Sequence, residues 1–135
     1  MKLVFADTGY WTALLYPNDN LHGKALAISS TLGKSRILTT EMVLDELLAA
    51  LSPLPRRAYA IRGAENIQEN PNVEVVPQTS IQFREAFNLY KRMADKAWSL
   101  TDCASFQIMR ARGISEALAH DQHFEQAGFK ALLRD

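Results

Sequence analysis

The stretch Lys2-Leu3-Val4-Phe5-Ala6-Asp7-Thr8-Gly9 decides the fold. Its apolar residues, 3 to 6, form a short run of the kind buried on both faces of a parallel sheet, and the run halts at an acid. Asp7 therefore stands at the exit of a buried strand, where a carboxylate points toward ligand instead of core. Three more acids follow at similar boundaries. Glu46 lies in Thr39-Thr40-Glu41-Met42-Val43-Leu44-Asp45-Glu46-Leu47-Leu48, Asp102 in Ser99-Leu100-Thr101-Asp102-Cys103-Ala104, and Asp121 in Ala119-His120-Asp121-Gln122-His123-Phe124.

Outward from this stretch, short runs with a β-branched bias alternate with helical patterns. Strands are expected over 3–6, 36–39, 73–76, 117–119 and 131–133, and helices over 8–16, 20–32, 41–51, 55–70, 81–94, 102–111 and 122–127. The breaks coincide with turn signals such as Pro17-Asn18-Asp19-Asn20, Gly33-Lys34-Ser35, Ser52-Pro53-Leu54-Pro55 and Asn70-Pro71-Asn72. Strand and helix in alternation predict a parallel sheet covered on both faces, an α/β fold.

The bulk composition narrows the possibilities. A chain of 135 residues, 47% of them hydrophobic, suits one domain (1–135) with its own core. Cys103 is the one cysteine, which excludes an internal disulfide and the usual Cys-based zinc sites, and fits a reducing cytoplasm. The apolar run before Asp7 is too short for an export signal or a membrane span. Fifteen basic and fifteen acidic residues cancel, so no global positive field advertises nucleic acid and any polyanion must be held locally.

Each acid has an ordinary explanation. On a helix from Glu41, the core face is Val43, Leu44, Leu47, Leu48 and Leu51; Glu46 borders it, while Asp45 points to solvent. Glu46 is then a surface glutamate or a ligand whose desolvation a cation offsets. Ser99 to Asp102 has the spacing of a capping box, and Asp7 and Asp121 each stand where a helix needs an N-cap. The joint arrangement weighs against four separate caps. In a parallel sheet every strand ends on one rim, which receives Asp7 and Asp121. The helix from Asp102 runs back antiparallel to the strand at 117–119, returning Asp102 to that rim, and open α/β sheets bind ligands there. Crowded carboxylates call for a hard divalent ion such as Mg²⁺ or Mn²⁺, which needs neither Cys nor His.

With these residues in view, the chain resembles PIN domains over essentially its whole length, and most closely the short VapC-like ribonuclease toxins of bacterial toxin–antitoxin pairs. The motifs are the opening strand with Asp7-Thr8, Thr39-Thr40 with Glu46-Leu47, Ser99-Leu100-Thr101-Asp102, and Ala119-His120-Asp121 followed by Phe124 and Gly128. The resemblance implies a three-layer α/β/α fold with five parallel strands in order 3-2-1-4-5, and an Mg²⁺- or Mn²⁺-dependent endoribonuclease. It places Asp7, Glu46, Asp102 and Asp121 at the acidic, metal-holding positions, with Thr8 and Thr101 assisting, and it implies a protein antitoxin and a homodimer. A catalytically silent PIN module that binds RNA or protein is the alternative. A receiver-like signalling domain fits poorly, because the third strand runs into Val75-Val76-Pro77-Gln78 without an acid to phosphorylate.

For RNA, two basic groups offer a phosphate track or an ordinary solvated helix face: Arg56, Arg57 and Arg62, and Lys91, Arg92 and Lys96. Trp98 either stacks on an unpaired base or joins the core. Trp11 and the Leu48–Leu51 region are read as helix packing, a self-association face or a groove for an antitoxin peptide. His120 and His123 are left outside the metal's ligands, and His22 is expected at the surface.

Overall fold

A computed structural model of the chain describes residues 2–134. Its strands are β1 (Leu3–Ala6), β2 (Arg36–Thr40), β3 (Val73–Val76), β4 (Glu116–Leu118) and β5 (Lys130–Ala131). All pair in parallel, in the order β3-β2-β1-β4-β5. The helices are α1 (Thr8–Leu15), α2 (His22–Ser29), α3 (Glu41–Ala50), α4 (Arg57–Glu69), α5 (Ser80–Arg92), α6 (Leu100–Ala111) and α7 (Gln122–Gln126).

The order follows from the connections. Right-handed crossovers carry the chain from β1 through β2 to β3 with α1–α4 on one face; the return from β3 to β4 then lays α5 and α6 on the other. β1 thus sits between β2 and β4, where the direction of winding reverses. Val4, Phe5, Ala6, Leu38 and Leu118 are almost wholly buried, as expected of central strands covered on both faces. Phe5 and Phe106 both meet Phe124, which docks α7 against sheet and helix.

Local chemistry trims the expected elements. Asp19 accepts from the Leu21 N–H, a turn that delays α2 until His22, and the Ser30 and Thr31 hydroxyls donate back to Ala27 and Ile28 and end it. Instead of starting at Asp102, α6 starts at Leu100 because Ser99 caps it. β5 begins at Lys130, whose N–H pairs with the Ser115 carbonyl, and the following residues turn instead of continuing as strand. Among the described residues no helix is long and apolar enough to cross a membrane.

Candidate active site

Asp7 follows β1 directly, and its N–H continues the ladder to the Leu118 carbonyl at 3.1 Å. This bond holds the ends of β1 and β4 together at the reversal of strand order. Behind Asp7, the Thr39 hydroxyl donates to the Ala6 carbonyl (2.9 Å) and accepts from the Trp11 indole (3.2 Å), locking the exit of β1 to β2 and α1. The Asp7 carboxylate is 8% exposed and does not cap α1, so helix capping does not account for it. Its pKa is pushed up from 3.8 to about 7, chiefly by burial; the Thr8 backbone N–H opposes the rise, and Asp102, Glu46 and Asp121 add to it by repulsion.

The other acids arrive from separate elements at the same cleft, whose volume is about 330 Å³. Glu46 reaches it because Val43, Leu44 and Leu47 bury the neighbouring face of α3, while Thr40 caps that helix by accepting the Val43 N–H. The Thr8 hydroxyl donates to Glu46 Oε1 at 2.7 Å. Glu41 is drawn elsewhere, accepting the Gln78 N–H at 2.7 Å. Asp102 is fixed by a complete capping box: Ser99 Oγ accepts the Asp102 N–H, and Asp102 Oδ2 accepts the Ser99 N–H, each at 3.0 Å. Asp121 caps α7 through the His123 N–H at 2.9 Å. Capping and facing the cleft are thus combined in Asp102 and Asp121.

His123 and Ser99 also line the cleft, as do the small residues Gly9 and Ala97, which keep its mouth open. The His123 ring nitrogen Nδ1 lies 3.0 Å from Asp102 Oδ2 and 3.2 Å from Asp121 Oδ1. Sequence reasoning left this ring aside; the signal it offered was a position two residues after Asp121, in the first turn of the helix that Asp121 caps. Thr101 is buried in the first turn of α6 and does not line the cleft, so any assistance from it is indirect.

The expected RNA contacts divide. Trp98 belongs to the core: it is 6% exposed, donates to Gln126 Oε1 at 2.9 Å and meets Phe106 edge-on at 4.9 Å, so its indole is spent on packing. Trp11 and Leu51 are buried as well, which removes them from any association face, although Leu48 stays exposed. Arg56, Arg57, Arg62, Lys91, Arg92 and Lys96 are exposed and none lines the cleft. Arg56 lies over the Tyr16 ring and Lys91 over Phe87. His22 is half-buried, its Nδ1 2.7 Å from the Ala13 carbonyl.

The donor set suits a hard divalent cation: carboxylate oxygens, one of them deeply buried and costly to ionise alone. Among the described residues no three His, Cys, Asp or Glu side chains are drawn into a ready-made cage.

Comparison with known proteins accords with this geometry. The PIN domain family profile matches residues 4–130. The 23S rRNA-specific endonuclease VapC20 of Mycobacterium tuberculosis is 30% identical over 127 residues, covering 94% of this chain and 95% of that protein. The crystal structure of VapC20, described as a sarcin-ricin loop cleaving toxin, superposes with a TM-score of 0.85 at 29% identity, covering 93% of this chain and 95% of that one. VapBC2 from Rickettsia felis, solved bound to a DNA fragment from its promoter, has a TM-score of 0.64 at 11% identity over 96% of both chains, a likeness of fold alone. Strand order, cleft and kinship agree: the chain belongs to the PIN domain family and is a homologue of VapC toxin endonucleases.

Proposed function

We propose that the protein is an Mg²⁺- or Mn²⁺-dependent endoribonuclease, the toxin of a toxin–antitoxin pair, with Asp7, Glu46, Asp102 and Asp121 as its acidic centre. The observation that carries this reading is that four acids from separate elements share one cleft, on the rim where the parallel sheet reverses its winding. A phosphodiester cannot approach such a cleft until its negative charge is offset. A divalent cation bound there offsets it, polarises a phosphoryl oxygen and lowers the pKa of a water.

The chain's own residues divide the remaining work. Asp7 and Asp102 are the most buried carboxylates of the cleft and would hold the cation when it binds. With Oε1 fixed by Thr8, Glu46 keeps a second oxygen for a proton or for the cation. Asp121 is the more exposed acid and stands at the entrance, its side chain 46% accessible. The substrate class follows from kinship: VapC20 is named for 23S rRNA, so a structured ribosomal RNA loop is the first candidate here. An antitoxin partner belongs to the same proposal, supported by the likeness to VapC20 and to the VapBC2 complex; self-association and a cytoplasmic location are further parts of the proposal.

Cleavage of ribosomal RNA is the test, comparing the protein with Asp7→Asn and Asp102→Asn, each with Mg²⁺, with Mn²⁺ and with EDTA. Metal-dependent cutting that both substitutions abolish is expected. Equal cutting by all three proteins would mark a contaminating nuclease and, like cutting by none, would sink the proposed enzyme; cutting by none would favour a silent binding module.

A further inference from the structure

We infer that His123 is a positioning residue, whose ring Nδ1–H holds Asp102 while its backbone N–H holds Asp121, and so presents both carboxylates to the cation; the inference rests on the metal-dependent reading above. Nδ1 is hydrogen-bonded to Asp102 Oδ2 (3.0 Å), and Asp121 Oδ1 lies 3.2 Å from the same atom as an ion-pair contact without hydrogen-bond geometry. A bare ring nitrogen facing two carboxylate oxygens would set lone pair against lone pair. Nδ1 therefore carries the hydrogen, and the tautomer follows from the geometry.

The ring has little freedom to leave. Its own N–H is the donor that Asp121 accepts in capping α7, the adjacent Phe124 is fully buried, and the imidazole side chain is only 18% accessible. The two oxygens it joins belong to different elements, the first turn of α6 and the residue before α7, and like charges held so near one atom repel without a donor between them. Ser99 also donates its N–H to Asp102 Oδ2. Two donors on Oδ2 leave Oδ1 as the oxygen available to a cation. Partners of this kind orient metal ligands, and removing them typically weakens metal binding about 10–100-fold.

The geometry also specifies which replacement works. The amide nitrogen of asparagine falls near the place of Nδ1, whereas that of glutamine falls near Nε2. Mn²⁺ is titrated into the metal-free full-length protein without RNA, free ion being read by electron paramagnetic resonance, for wild type, His123→Ala, His123→Asn and His123→Gln. Alanine is expected to weaken Mn²⁺ binding by about tenfold or more, asparagine to restore it, and glutamine to stay as weak as alanine. Unchanged near-ultraviolet circular dichroism shows that each variant is folded. The inference is overturned if alanine binds as tightly as wild type, if it binds more tightly because the imidazole competes with the ion, or if asparagine does no better than glutamine. A wild type that binds no Mn²⁺ would overturn the metal-dependent reading as well, which distinguishes the two failures.

Discussion

Replacing Asp7 by asparagine should make the metal-free protein more stable, not less, at neutral and alkaline pH. The folded carboxyl has its pKa raised to about 7 from 3.8. Folded protein therefore binds a proton that unfolded protein has already released, and stability falls as pH rises from about 4 to about 7, then levels off. At about 1.4 kcal/mol per pH unit the full cost is about 4 kcal/mol above pH 7, and roughly 2 kcal/mol at pH 5. Asparagine keeps the shape and carries no charge, so it escapes both the burial cost and the repulsion from Asp102, Glu46 and Asp121. Urea unfolding in EDTA at pH 5 and pH 8 isolates the effect as the difference between wild type and variant, since the other titrating groups cancel. With a slope of about 1–3 kcal/mol per molar urea, a gap of this size moves the midpoint by at least 1 M at pH 8, and the gap should narrow at pH 5. Mg²⁺ should then stabilise wild type and leave the variant nearly unmoved. A variant no more stable than wild type at pH 8, or a gap equal at both pH values, would refute the argument that Asp7 is ionised at the expense of the fold.

Three further outcomes follow from individual contacts. Thr8→Val removes the donor to Glu46 Oε1 while keeping the shape; a hydrogen bond to a charged group is worth about 1.5–3 kcal/mol of stability, so urea unfolding should show a loss of up to that size, and the RNA cleavage rate should fall because Glu46 is no longer held. Thr40→Ala strips the cap of α3 and should cost about 1 kcal/mol in urea unfolding, with cleavage retained. Phe124→Ala empties the site where α7 meets Phe5 and Phe106; a loss of about 3–5 kcal/mol is expected, along with weaker Mn²⁺ binding because Asp121 and His123 lose their support.

The rim was legible in the sequence because strand ends and acids coincide there. Asp7 directly follows an apolar run, but Glu46 and Glu41 both flank the apolar face of their helix, and it is the fold that divides them, Glu46 lining the cleft and Glu41 accepting the Gln78 N–H. The Ser99 to Asp102 spacing disclosed the capping box, although not that one carboxylate both caps α6 and faces the cleft. Strand order came with the family resemblance, since alternation of strand and helix permits several windings. Trp98 was ambiguous because an indole beside a motif looks the same whether its partner is a base or Phe106. His123 was missed for a related reason: Asp102 lies on another helix 21 residues earlier, and no local pattern reports a contact made across the fold.

The burial of Trp98 has a practical consequence. It sits between Ala97 and Ser99, both of which line the cleft, yet its ring is clamped between Gln126 and Phe106. The protein thus carries its own fluorescent gauge beside the acidic centre, shielded from water and sensitive to any shift of α7 against α6. With the other indole silenced by Trp11→Phe, changes in emission as ions or an RNA fragment are added would report the local rearrangement without an attached dye.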